Sequence, residues 1–170
     1  MNMHHIIITG ASRGIGHATA LLYASMGWNI SICSRHCDYQ MTQTQDAITA
    51  AGGQYFSFCG DMGNATDAEE FLAKAVQTFG TPEILVNNAG ISHIGLLQDM
   101  TPMQWDDIIR TNLSSVFYTS RVIIPYFLQE KHGRIINVSS VWGSVGITPQ
   151  TIKKAVRDLI SISKAVAKEE

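Results

Sequence analysis

Thr9-Gly10-Ala11-Ser12-Arg13-Gly14-Ile15-Gly16 follows directly on the apolar run His5-Ile6-Ile7-Ile8 and leads into a helix-patterned segment. A strand, a tight glycine turn and a helix start, in that order, form the arrangement that binds a pyrophosphate. Glycine lets the backbone turn sharply and approach a phosphate, while the free N–H groups of a helix beginning near Gly14 face the anion. Three glycines alone are weak evidence; the strand before them and the helix after give them weight. The competing reading is a glycine-rich turn with no ligand.

The rest of the chain repeats this alternation. Short apolar runs of strand type stand at 4–8, 28–33, 54–59, 83–87 and 134–138, separated by longer helix-patterned segments. The first helix is expected over 14–26, with Ile15, Ala18, Leu22 and Tyr23 on its apolar face and Gly27 ending it. Another is expected over 64–79, with Asn64 or Thr66 near its cap and Glu69 and Glu70 in its first turns. A long helix should start at Thr101-Pro102, continue towards Lys131 and kink at Pro125. Crossovers long enough for helices imply a parallel sheet covered on both faces. The expected fold is α/β, a Rossmann-like doubly wound parallel sheet of five strands, with residues 1–170 forming one domain.

Composition narrows the partners. The chain has 170 residues, 45% of them hydrophobic and 15% charged, enough for one core and unlike a disordered chain. A formal net charge of -2 supplies no basic patch for nucleic acid and no polybasic anchor for membrane. Small molecules or copies of the chain itself are the expected partners. Cys33, Cys37 and Cys59 lack zinc-like spacing, their odd number argues against a disulfide framework, and a reducing cytoplasm fits. No signal peptide or spanning run is evident, so the expectation is a cytoplasmic protein. The six histidines show no metal-ligand or catalytic spacing, and no metal is expected.

The end of the second strand is where a nucleotide-binding sheet distinguishes a ribose hydroxyl from a 2′-phosphate, and Ser34-Arg35 stands there without an acidic residue. Arg35 favours NADP, and Arg13 inside the glycine turn adds a second cation. The alternative is that both arginines are merely solvated. Asp61, after the third strand, could accept from an adenine amine or serve as an ordinary turn aspartate. Asn87-Asn88-Ala89-Gly90 follows the fourth strand, again where ligands bind in open α/β sheets.

With Thr9-Gly10-x-x-x-Gly14-x-Gly16, the Asn88-Ala89-Gly90 segment resembles the short-chain dehydrogenase/reductase family. The resemblance extends through Asn112 in Arg110-Thr111-Asn112-Leu113 and Ser140 in Asn137-Val138-Ser139-Ser140, and covers roughly residues 4–146. The wording at Gly90-Ile91-Ser92, Arg134-Ile135-Ile136-Asn137 and Ser140-Val141-Trp142-Gly143 is similar to that of 3-oxoacyl-carrier-protein reductases and their bacterial relatives. The resemblance implies hydride transfer between NADPH and a ketone or 3-oxoacyl thioester. It also implies cofactor contacts from Gly10, Ser12, Arg13, Gly14, Ile15, Gly16, Arg35, Asp61, Asn88, Ala89 and Gly90. Ser140 would hydrogen-bond the carbonyl, and Asn112 would support a proton-relay water.

One part of the family signature is missing. The family's spacing from Ser140 places a tyrosine at 153 and a lysine at 157, but the chain has Lys153 and Arg157 and no tyrosine after Tyr126. The stretch 147–157 does not resemble the family, while Ser163-Lys164-Ala165-Val166-Ala167-Lys168-Glu169 again does. Relatives continue for several dozen residues with two further strands and a substrate loop, so the resemblance reads the chain as truncated. Turnover by this chain is therefore in doubt, and three alternatives stand beside catalysis. They are a non-catalytic NADP-binding protein, a subunit acting with a full-length relative or as a homo-oligomer through 102–131, and the product of a damaged or frame-shifted gene. Trp142 and His93 are candidates for touching substrate or for packing at the cleft mouth.

Overall fold

The computed structural model describes residues 4–93 and 97–140. Five strands, β1 (His5–Thr9), β2 (Asn29–Ser34), β3 (Gln54–Cys59), β4 (Ile84–Asn87) and β5 (Arg134–Asn137), form one parallel sheet in the order β3-β2-β1-β4-β5. The chain winds outward from β1 to β3, then crosses to the other side of β1 to lay down β4 and β5. That reversal opens a crevice between the carboxyl ends of β1 and β4, where open α/β sheets bind ligands.

Alternation along β1 divides the core. Ile6 and Ile8 pack on one face with Ala20, Ala24, Met41 and Ile48 from α1 (Gly14–Ser25) and α2 (Tyr39–Ala50). Ile7 packs on the other with Phe71, Leu72, Ala75 and Ile123 from α3 (Ala65–Phe79) and α5 (Ser115–Glu130). All three isoleucines are fully buried, and each such side chain contributes about 1.5–3 kcal/mol by leaving water. A strand buried at every position, from His5 to Thr9, is what a sheet covered on both faces requires.

Sequence signals set most helix ends. Gly27, at φ 79°, follows α1. The Asn64 carboxamide oxygen caps α3, accepting from Thr66 N at 2.8 Å and Asp67 N at 3.4 Å, so Asn64 rather than Thr66 is the cap. Thr101 and Gln104 form a reciprocal capping box around Pro102 at the start of α4 (Pro102–Ile109). Helix α2, capped by Asp38 through Gln40 N and Met41 N, fills the largely polar stretch between β2 and β3.

The expected continuous helix from 101 towards 131 needs correction. Residues Arg110–Ser114 form a wider π-helical turn that separates α4 from α5. Pro125 lies inside α5, which runs past it to Glu130, and the break in α-helical winding falls at Arg110–Ser114. The carbonyl that Pro125 leaves without an intrahelical N–H belongs to Arg121, an exposed residue open to water. Among the described residues, no helix is long and apolar enough to cross a membrane.

Candidate functional site

Gly10 and Gly14 have φ of 64° and 60°, a left-handed conformation that L side chains adopt at a cost. Gly10 is further constrained by contact: a Cβ there would meet Ala89 Cα at 2.7 Å. At Gly16 a Cβ would meet Asn88 Nδ2 and Gly10 O at 2.6 Å. Gly14 is different, since a Cβ there would meet nothing within 4 Å. Two glycines thus let the turn close on the β4 segment, and the third borders open space.

Hydrogen bonds lock this closure. Thr9 Oγ1 accepts from the backbone N–H groups of Asn88 and Ala89, both at 3.0 Å. The Asn88 carboxamide donates to Thr9 O at 3.0 Å and Gly10 O at 2.8 Å. Asn88 therefore spends its side chain bracing the turn.

The resulting cleft measures about 610 Å³. Gly10, Ser12, Arg13, Gly14 and Ile15 line one wall, and Asn88, Ala89 and Gly90 line the opposite one. Arg35 and Asp61 line its outer end, while Gly16 packs behind the turn. The wall at α1 is prepared for an anion: no side chain caps the helix, its first turn carries no acid, and Arg13 forms no ion pair among the described residues. Ile15 exposes 62% of its surface there, an apolar face beside the anion wall.

Arg35 is held differently. Its guanidinium donates to Thr111 Oγ1 at 2.6 Å, reaches Asp61 at 3.3 Å and lies 3.7 Å from Asp107. The Arg110 guanidinium first, and Arg35 after it, hold the Asp107 carboxyl below the usual carboxylate range. Asp61 also accepts from Gly63 N at 2.9 Å, as a turn aspartate does. Both readings of Asp61 thus keep a footing, because it closes its own turn while facing the cleft.

Asn112 stands in the π-helical turn and clamps the peptide of Ile91: Oδ1 accepts from Ile91 N and Nδ2 donates to Ile91 O, each at 2.8 Å. Such π-helical turns recur at functional sites. Ser140 lies three residues beyond β5 and is exposed. Its strand is fixed by Asn87, which donates to Asn137 Oδ1 at 2.9 Å and accepts from Thr119 Oγ1 at 2.7 Å. Neither Asn112 nor Ser140 lines the cleft that holds the other candidates. Trp142, Lys153 and Arg157 lie outside the described residues.

Two further residues, Thr111 and Thr44, contribute with no motif to mark them. Thr111 anchors Arg35 and lines the cleft. Thr44, fully buried on α2, accepts from or donates to His17 Nδ1 at 2.7 Å and sits 3.3 and 3.2 Å from the carbonyls of Ala11 and Ser12 in the glycine turn. Its position between Met41 and Ile48 on the buried face of α2 is the available signal, a polar residue in an apolar stripe.

The short chain dehydrogenase family matches residues 4–161. The chain is 35% identical over 164 residues to the 3-oxoacyl-[acyl-carrier-protein] reductase FabG of Staphylococcus aureus strain Mu50, covering 96% of this chain and 67% of that protein. It is 34% identical over 170 residues to the D-beta-hydroxybutyrate dehydrogenase of Cupriavidus necator, covering 99% of this chain and 66% of that protein. A metagenomic short-chain oxidoreductase crystallised with NADP superposes with a TM-score of 0.88 at 30% identity, covering 98% of this chain and 75% of the other. By its sequence, its sheet order and its glycine cleft, the chain belongs to the short-chain dehydrogenase family, whose members bind a nicotinamide cofactor.

Proposed function

We propose that residues 1–170 form a single NADP(H)-binding domain, with the cofactor's pyrophosphate at the glycine turn and its 2′-phosphate between Arg13 and Arg35. The observation that carries this reading is the junction of an uncapped α1 with Gly14, beside which a Cβ would find empty space. Backbone N–H groups at the start of α1 would hold the pyrophosphate, and Ile15 would cover an apolar part of the cofactor. Arg35 must leave Asp61 and Thr111 to grip a 2′-phosphate, exchanging existing hydrogen bonds for stronger ones to a dianion.

The reaction proposed at family level is hydride transfer between NADPH and a ketone or 3-oxoacyl thioester. Bound NADPH supplies the hydride; the chain's residues orient the partner and manage the proton. Ser140 would donate a hydrogen bond to the carbonyl oxygen. Asn112 keeps the Ile91 peptide in place at the edge of the cleft and would support a relay water. With Lys153 and Arg157 where the family's tyrosine and lysine belong, the proton donor is missing, and loss of a positioned general acid lowers rate by about 10²- to 10⁴-fold. The proposal is therefore strong cofactor binding with weak turnover.

Titrating the chain with NADPH and following cofactor fluorescence tests the first half: saturable binding is expected, and its absence refutes the reading. Ketone-dependent NADPH oxidation tests the second. Turnover equal to that of a relative carrying the tyrosine and lysine refutes the weak-turnover claim.

A second reading, a non-catalytic subunit paired with its own copy or with a longer relative, draws on α5, where Phe117 and Leu128 are 57% and 71% exposed. Sedimentation of the chain alone and mixed with such a relative decides it, with a purely monomeric profile in both mixtures as the refuting result.

A further inference from the structure

Cys59 ends β3 in register with Ser34 at the end of β2, and its thiol points across to the Arg35 carbonyl at 4.0 Å. Cys37 lies two residues beyond Arg35 on the same exposed loop, so the Cys59 thiol faces the short segment that carries Cys37. Both cysteines are exposed, whereas Cys33 is fully buried on β2. We propose that Cys37 and Cys59 are a redox-active dithiol that closes to a disulfide under peroxide, tying the Arg35 loop to the end of β3.

The roles of the two sulfurs differ. Desolvation first, then the neighbouring Cys59 and Asp38, push the Cys37 thiol up to about 11, which keeps Cys37 a thiol until a partner sulfur is oxidised. The Cys59 thiolate attacks one peroxide oxygen and the O–O bond breaks, leaving Cys59 as a sulfenic acid; the departing hydroxide takes up the thiol proton as water. The Cys37 sulfur then attacks the Cys59 sulfur, the S–O bond breaks, and a second water leaves with the Cys37 proton. Two thiols are oxidised and one peroxide is reduced to two waters. Burial pushes the Cys33 thiol up to about 12 and removes it from this chemistry. Closure would bring Cys37, exposed between β2 and α2, onto Cys59 at the end of β3.

The test needs no assumption about the cofactor. The folded chain is treated with hydrogen peroxide, unfolded, alkylated and weighed by mass spectrometry. Alkylatable cysteines are expected to fall from three to one, with Cys37 and Cys59 in one cross-linked peptide that dithiothreitol separates. Cys37→Ser and Cys59→Ser should each abolish the cross-link, while Cys33→Ala should retain it. Cysteines that oxidise only to sulfinic acid, or cross-link only between chains, overturn the proposal, as does persistence of the cross-link in either serine variant.

Discussion

Two alanine substitutions, Gly10→Ala and Gly14→Ala, separate the work done by the glycine turn into folding and binding. Both residues sit at left-handed φ, 64° and 60°, so each substitution carries a backbone cost of about 1–2 kcal/mol. Gly10→Ala adds a collision, since its Cβ would stand 2.7 Å from Ala89 Cα and 3.0 Å from Ala89 N, atoms fixed by the Thr9 hydroxyl. Overpacking of that kind costs about 1–3 kcal/mol more. The expected total is therefore about 2–5 kcal/mol for Gly10→Ala against about 1–2 kcal/mol for Gly14→Ala. Domains of this size hold only about 5–15 kcal/mol in all, so urea unfolding resolves the difference readily. Binding should rank the two in the opposite sense among folded molecules: the methyl of Gly14→Ala enters the open space where a pyrophosphate would approach, and NADPH affinity should drop at least tenfold. If Gly14→Ala binds NADPH as the parent does, or is destabilised as much as Gly10→Ala, the division of labour argued for this turn is wrong.

Other substitutions probe the surrounding parts. Arg35→Ala should weaken NADPH roughly tenfold to a hundredfold, from the loss of charge-assisted bonds of about 1.5–3 kcal/mol, and leave NADH affinity unchanged; equal losses for both would deny Arg35 a role at the 2′-phosphate. Thr44→Val removes the hydroxyl beneath the Ala11 and Ser12 carbonyls and should weaken NADPH binding while Thr44→Ser restores it, measured beside the urea midpoint of each variant. His5 is buried between Gly80 O and Ser31 Oγ, and desolvation lowers its pKa from 6.5 to about 4, against the raising effect of the Gly80 bond. The unfolded chain therefore binds this proton before the folded one does, so stability is present above 6.5 and lost as pH falls towards 4. The loss is on the order of 3 kcal/mol, readable as a falling urea midpoint that His5→Gln flattens; an unchanged pH profile in that variant would contradict the assignment.

What could be read in the sequence was what local chemistry determines. The isoleucines of β1, the glycine turn and the Asn64 and Thr101 caps each depend on neighbours within a few residues, and their patterns survive into the structure. The π-helical turn did not announce itself, because Pro102 onward reads as uninterrupted helix and only packing of Asn112 against Ile91 distinguishes it. The tethering of Arg35 was equally hidden: Asp61 in the loop after β3, Asp107 in α4 and Thr111 in the π-helical turn meet it only once the sheet has folded. Helix α2 is marked by a sparse stripe of Met41, Thr44 and Ile48 in an otherwise polar segment, which leaves little periodicity to follow.

The Thr9 hydroxyl also has a consequence for how the molecule comes into being. The turn itself is local, but its brace comes from Asn88 and Ala89, which the ribosome delivers long after Gly10. A nascent chain that has exposed β1, α1 and β2 therefore carries the residues of the cradle without its back wall. The cleft cannot close until β4 docks beside β1, so cofactor capture requires that both strands have found each other.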